Sequence, residues 1–269
     1  MTHERRRPRG VAVGRGRYAD TFEWNNDQVV KLFREGLPEY LAKREYVATR
    51  VLHDAGLPVP EAYGVVTVDG RSGVVLERIE GPSMQDRLNT DPHPRMDVVT
   101  RYARTLAELH ASIHEHTVAR LPPQRRRLEE DIHRAKALDE GTRSIVLEIL
   151  GDLPDGDAAC HNDLHPKNVI MSAYGPVIVD CLTASMGNPA ADVARSLLVM
   201  EAGQEWDSTR VRELRRHFRT AYLHKYCFLG HIWPEEVHQW RLPITAARLG
   251  EGFPGEEGWL LHILRDRLV

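Results

Sequence analysis

Residues 160–171 read Cys160-His161-Asn162-Asp163-Leu164-His165-Pro166-Lys167-Asn168-Val169-Ile170-Met171, and a second apolar run, Val177-Ile178-Val179, ends on Asp180. Two carboxylates and an amide thus stand at the ends of short apolar runs that read as strands, and such strands fix polar groups rigidly. A paired Asp/Asn site suits a hard cation such as Mg²⁺, which takes few protein ligands and completes its shell with phosphate oxygens and water. The arrangement suits phosphoryl transfer, with Asp163 orienting and deprotonating an attacking hydroxyl. A surface loop of ordinary turn residues is the plainer alternative. A metal site built on His161 and His165 is a further one, but their spacing aligns two imidazoles only on a helix, and Pro166 argues against helix here.

Upstream, Val29-Val30-Lys31-Leu32-Phe33 sets a lysine in an apolar strand. Buried charge needs a partner. Glu45, on the helix that follows, is suited to hold Lys31 towards nucleotide phosphates; the alternative is a lysine snorkelling from an edge strand. Further back, Val13-Gly14-Arg15-Gly16 lies between the first two strands, where two glycines let backbone approach a phosphate closely, although an ordinary glycine hairpin reads the same way.

Around these groups the first 80 residues are strand-rich: Val11 to Val13, Asp20 to Trp24, Gln28 to Phe33, Ala62 to Val68 and Gly73 to Ile79, with turns at Asn25-Asn26-Asp27 and Asp69-Gly70. One helix, Pro38 to about Ala55, interrupts them, and Gly81-Pro82-Ser83 follows as a connector. Beyond it the period becomes helical, over Val98 to Ile113 and Val211 to Leu229, with further helices near 124–139, 142–151, 190–202 and 256–267. The pattern predicts a small β-rich unit, 1–80, and a larger mostly helical one, 81–269.

The chain has 269 residues, 42% hydrophobic and 28% charged, with 36 Lys+Arg against 39 Asp+Glu. That composition excludes collagen, coiled coil and general disorder. No apolar stretch approaches the roughly 18 residues of a membrane span and no apolar segment follows the basic start, so a cytoplasmic protein without membrane contact is expected. Cys160, Cys181 and Cys227 are too scattered for a disulfide framework and read as thiols. Residues 1–80 carry 13 basic and 12 acidic groups, 81–192 carry 12 and 17, and 193–269 carry 11 and 10. Apart from Arg5-Arg6-Arg7-Pro8-Arg9, read as a solvated terminus, no basic cluster marks a nucleic-acid face.

Taken in order, Gly-x-Gly in a strand turn, Val-Val-Lys, a helix glutamate, Gly73 to Gly81, His161-x-Asp163-x4-Asn168 and Asp180 resemble the aminoglycoside phosphotransferase family. The resemblance implies an α+β, bilobal, protein kinase-like fold and transfer of the γ-phosphate of ATP, with Mg²⁺, to a hydroxyl of a small molecule. It implies Asp163 as catalytic base, Asn168 and Asp180 as Mg²⁺ ligands, and Lys31 paired with Glu45 at the α- and β-phosphates. Gly14 and Gly16 would cover the phosphates, and backbone from Glu77 to Ile79 would bond adenine. Asp192 would brace the catalytic loop, and His110 would be structural. Asn162 stands where protein kinases carry arginine, and the twelve positions from Asp180 to Asp192 leave little room for an activation segment, so a small-molecule kinase is expected rather than a protein kinase.

The acceptor is open on sequence grounds. Aminoglycosides are polycations that require an acidic lining, for which Glu201, Glu205 and Asp207 form a local cluster. Macrolides, sugars, amino alcohols and choline-like metabolites are the alternatives, and a nucleotide-binding pseudokinase interaction module is a different class, which loss of Lys31, Asp163, Asn168 or Asp180 would favour. Trp206, Trp233, Trp240 and Trp259 line a pocket or fill core. Cys160 and Cys181 adjoin Asp180 and the His161 loop; inert packing is expected rather than a redox switch.

Overall fold

The computed structural model describes residues 9–91, 94–202 and 207–268. The arginines at 5–7, Glu205 and Trp206 lie outside the described residues. The chain separates into two compact units, one running to Gln85 and including Lys167–Thr183, the other comprising Asp86–Pro166 and the chain from Ala184 onward.

In the first unit, β1 (Arg9–Arg15), β2 (Ala19–Asn25), β3 (Gln28–Phe33), β4 (Ala62–Val68) and β5 (Arg71–Glu77) form an antiparallel sheet ordered β1-β2-β3-β5-β4. Its turns follow the expected chemistry. Asp69 (φ 49°) and Gly70 (φ 80°) are both left-handed, as a two-residue hairpin joining β4 to β5 requires. Helix α1 (Tyr40–Asp54) buries Ala42, Glu45, Ala48, Thr49 and Leu52, a 3.6-residue stripe.

A second hairpin, β7 (Val169–Ser172) with β8 (Gly175–Ile178), belongs to this unit by its hydrogen bonds. Met171 N–H donates to Pro82 (2.9 Å) and Ile178 N–H to Pro58 (2.7 Å). Gly81, at φ 141°, makes the first of these approaches feasible, because a Cβ there would lie 2.5 Å from the Met171 carbonyl oxygen.

The second unit is helical: α3 (Met96–His114), α4 (Gln124–Arg134), α5 (Glu140–Asp152), α6 (Pro189–Glu201), α7 (Thr209–Gly230), α8 (Pro234–Gln239), α9 (Arg241–Gly250) and α10 (Glu257–Leu268). Helix α2 (Met84–Asn89) spans the division between units. Buried Val99, Ala103, Leu106, His110 and Ile113 form the face of α3, which packs along α7. The α6 start is fixed by Asn188, whose side chain accepts from Ala190 N–H (2.8 Å), with Pro189 in the first turn. A short ladder, β6 (Ala158–Cys160) with β9 (Ser185–Gly187), pairs Cys160 with Ser185. Among the described residues no helix is long and apolar enough to cross a membrane.

Candidate active site

Alternation along β3 decides where Lys31 points. Val30 and Leu32 pack with Val68 and Val75 on one face. Val29 lies on the other, against Ala62, Val74 and Tyr46 of α1. Lys31 shares that second face, and its Nζ reaches Glu45 Oε1 at 2.7 Å and Asp180 Oδ1 at 2.8 Å. β3 is paired on both sides, by β2 and β5, so the edge-strand alternative is excluded. Burial alone would discharge the lysine, but Asp180 and Glu45 more than offset it and hold the ammonium charged, above its usual range. Burial pushes Glu45 up to about 7, with Lys31 opposing the rise and Asp180 adding to it.

Asp180 closes this chain of charge at the protein surface. It takes a left-handed backbone conformation (φ 65°), unusual for a residue with a side chain, and its side chain is 41% exposed while Glu45 is wholly buried. Asn168, at the end of a 3₁₀ turn over Pro166–Asn168, accepts the Val179 N–H at its carbonyl (2.9 Å). That bond sets it beside the residue preceding Asp180.

In the second unit, the His161–Asp163 turn leaves β6 and is held by one carboxylate. Asp192, fully buried near the start of α6, accepts His161 N–H at Oδ2 (2.5 Å) and Asn162 N–H at Oδ1 (2.8 Å). Two imidazoles from α3 complete its shell, His110 Nε2 at 3.0 Å and His114 Nε2 at 3.3 Å. Each ring is oriented from behind by a phenol on α7: His110 Nδ1 to Tyr222 and His114 Nδ1 to Tyr226, both 2.6 Å. Burial would raise the Asp192 pKa, but the imidazoles hold it well below the ordinary carboxylate value. Burial and the neighbouring His110 lower His114 to about 4, Asp192 opposing the shift.

Asn162 is itself left-handed (φ 60°) and is pinned by its amide: Gln124 donates to its Oδ1 (2.8 Å) and its Nδ2 donates to Ser185 (2.7 Å). The turn presents Asp163 with a side chain 26% exposed, 3.7 Å from His165 Nε2. Burial would raise Asp163, but His165 by hydrogen bond and charge, with Arg195 and His161, keeps it well below the usual carboxylate range. It is ionised at neutral pH.

The residues expected from sequence are thus only partly gathered. Lys31, Glu45 and Asp180 meet directly. Gly14 lies inside β1, opposite Thr21, rather than in the turn, because the strand runs on to Arg15; Gly16 closes the turn by donating to Ala19 O (2.9 Å). Glu77 ends β5 and Ile79 lies two residues past it. The N–H groups of Glu77 and Arg78 are committed to Glu61 and Asp27 (2.9 Å each).

Cys160 is on β6, whereas Cys181 is on a 3₁₀ turn rather than a strand. Both are buried, and burial pushes their thiols up, Cys181 to about 12. Trp240 is core at 2% exposed and Trp233 is exposed at 73%.

Gln124, Ser185, Arg195, His114, Tyr222 and Tyr226 were not singled out from sequence. The last three carried a readable signal: His110 and His114 are four apart on one helix, and Tyr222 and Tyr226 four apart on another. Together with Asp192 the two histidines have the spacing of a metal centre. His110 Nδ1 bonds Tyr222, and His114 bonds both Tyr226 and Asp192, while His110 Nε2 lies 3.0 Å from Asp192 Oδ2 without a hydrogen bond to it, so the cluster braces Asp192 by hydrogen bonds and close contact together.

A five-stranded antiparallel sheet followed by a helical unit is the mixed α/β organisation of protein kinase-like phosphotransferases. The chain belongs to the phosphotransferase enzyme family (APH), whose pattern it matches over residues 10–237, and it is a small-molecule phosphotransferase. Among solved structures it is similar to an aminoglycoside-3'-phosphotransferase of type VIII (20% identity, TM-score 0.62, covering 88% of this chain and 92% of that one). It is also similar to a putative fructosamine-3-kinase from Haemophilus somnus 129PT (12%, 0.64, 96% and 90%). A third similar structure is the amicoumacin kinase hAmiN in complex with AMP-PNP, Ca²⁺ and Ami (12%, 0.63, 96% and 87%). No curated protein sequence matches the chain.

Proposed function

We propose that the protein transfers the γ-phosphate of ATP to a hydroxyl of a small molecule, using Mg²⁺. The observation that carries this reading is the Lys31 bridge, in which one ammonium joins a wholly buried Glu45 to a half-open Asp180. A lysine held charged and immobile in this way is suited to nucleotide phosphates, and the AMP-PNP and Ca²⁺ bound by the amicoumacin kinase support it.

Asn168 and Asp180 fit a divalent cation, since both offer hard oxygen donors and Asp180 is bonded by Lys31 at Oδ1 with much of its side chain exposed. Bound there, Mg²⁺ neutralises charge on the phosphate oxygens. Lys31 binds and orients the phosphates, and Glu45 fixes the lysine. Asp163, ionised and held by the braced turn, accepts the proton of the acceptor hydroxyl and aims its oxygen. All four polar residues that a pseudokinase would lack in part are present.

The test is ATP consumption with Mg²⁺ against a panel of antibiotic and metabolite alcohols, in the wild type and in Asp163→Asn. Turnover should fall by about 10²–10⁴-fold in the variant, with AMP-PNP affinity unchanged. Near-normal turnover in Asp163→Asn overturns the base assignment, and ATP consumption that no acceptor stimulates overturns the reaction.

A further inference from the structure

The first half of α7 carries more positive charge than the helices around it answer. Arg219 stands four positions after Arg215 and three after Arg216, spacings that make the three side chains neighbours on the helix surface. Arg241, the first residue of α9, lies within electrostatic reach of Arg219. Against these four guanidinium groups stand two carboxylates, Glu201 at the end of α6 and Asp207 just before α7.

Both carboxylates are engaged. Glu201 accepts both terminal nitrogens of Arg241 (3.0 and 3.1 Å), a bidentate pair. Asp207 lies 2.8 Å from Arg215 Nε, and Arg215 Nη1 also donates to the Ala202 carbonyl at the end of α6 (3.2 Å), where a cation is favoured. Ion pairing and the helix terminus therefore account for Arg241 and Arg215. They leave Arg216 and Arg219, a local excess of two positive charges among the described residues. The acidic lining that Glu201 and Asp207 would offer a polycation is thereby occupied.

Arg216 is exposed, but Arg219 is half-buried, and its Nη1 is buried with no hydrogen-bond partner among the described residues. Arg241 Nε is in the same condition. Burial presses the Arg219 pKa down; Glu201 opposes the fall, and Arg241, Arg215 and Arg216 add to it. A guanidinium does not discharge in a protein, so its burial beside three like charges is a cost that an added anion removes.

We propose that Arg216, Arg219 and Arg241, with Arg215 beside them, form a site for a phosphate group, that of inorganic phosphate or of a small phosphate monoester. Such a group carries about two negative charges at neutral pH, which matches the excess, and its oxygens accept from guanidinium forks. The site is independent of the phosphotransferase reading, since none of its residues has a part in the proposed transfer.

The test is the thermal melt of the full chain at matched ionic strength, titrated with inorganic phosphate or with glycerol 3-phosphate. Excess AMP-PNP is present throughout, so that phosphate positions used by nucleotide are already filled. At about 10 mM of the anion that binds, wild-type Tm should rise by about 3–6 °C, the shift for a Kd of about 0.1–1 mM. In Arg219→Met the rise should fall below about 1 °C. Arg216→Gln, at an exposed position, serves if Arg219→Met does not melt cooperatively, and there the anion should bind at least about threefold more weakly. A wild-type rise with both anions, lost in the variant, assigns the site to any phosphate group; a rise with one alone assigns it to the free anion or to the ester. No wild-type rise with either anion, or an equal rise in wild type and in whichever variant folds, overturns the proposal.

Discussion

Glu45 and Asp192 are buried in different ways. In the sheet unit, Glu45 lies under Lys31, and the chain of charge runs outward to an Asp180 side chain that is 41% exposed. In the helical unit, Asp192 is closed on all sides by two backbone N–H groups and two imidazoles. The first arrangement leaves charge exposed; the second spends it on the backbone of one turn and the two imidazoles. They also respond to pH with opposite sign. Glu45, raised to about 7, binds its proton more tightly folded than unfolded, so its contribution to stability declines as pH rises from about 4.5 to 7. His114, lowered to about 4, binds its proton less tightly folded, so its contribution declines as pH falls from about 6.5 to 4.

The largest effect is expected from breaking the closed network. Asp192→Ala strands two buried backbone donors and leaves two imidazoles facing a void, a loss of about 3–5 kcal/mol. That is a large share of the 5–15 kcal/mol typical of a folded chain. Urea unfolding of the variant measures it, and a loss under about 1 kcal/mol would mean that the turn holds its shape unaided. Next comes the acid limb. A displacement from 6.5 to about 4 at His114 amounts to about 3 kcal/mol of stability lost across that interval. His114→Gln should flatten the limb in melts taken between pH 6.5 and 4, and a limb of unchanged steepness would assign the acid sensitivity elsewhere.

How much of this was legible in the chain depended on whether a local pattern carried it. Period-two alternation and turn residues located the five strands of the sheet within two residues, and the Lys31–Glu45 pair followed from a charge inside an apolar strand. Helix α9 escaped although every residue from Pro243 to Leu249 is buried. Strand β9 is three residues long, too short for any period. Gln124 and Ser185 were invisible for a different reason. Their task is to hold Asn162 left-handed, a backbone demand that has no signature in neighbouring residues. Arg195 reads as one more polar position on α6 until folding brings Glu251 to it.

The smallest expected effect sharpens the comparison most, because it separates ligand binding from stability in one residue. Lys31→Met removes the ammonium that opposes the rise in Glu45's pKa, so Glu45 stays protonated to higher pH in the variant than in the wild type. At pH 6 the wild-type carboxyl is already largely protonated, and the two proteins should differ by no more than about 1 kcal/mol, the size of one ordinary hydrogen bond. Above pH 7 the wild-type carboxylate ionises against Lys31 without further loss, while the variant must keep its proton and should fall behind by about 1.4 kcal/mol per pH unit. Stability curves that diverge above pH 7 and meet near pH 6 establish Lys31 as the group that lets Glu45 ionise; parallel curves place the partner elsewhere. At pH 6, where stability barely changes, a raised KM for ATP in the same variant would support the proposed contact of Lys31 with phosphate, and an unchanged KM would remove it. Asp192 offers no such condition, since every oxygen that leaves the network there takes the turn with it.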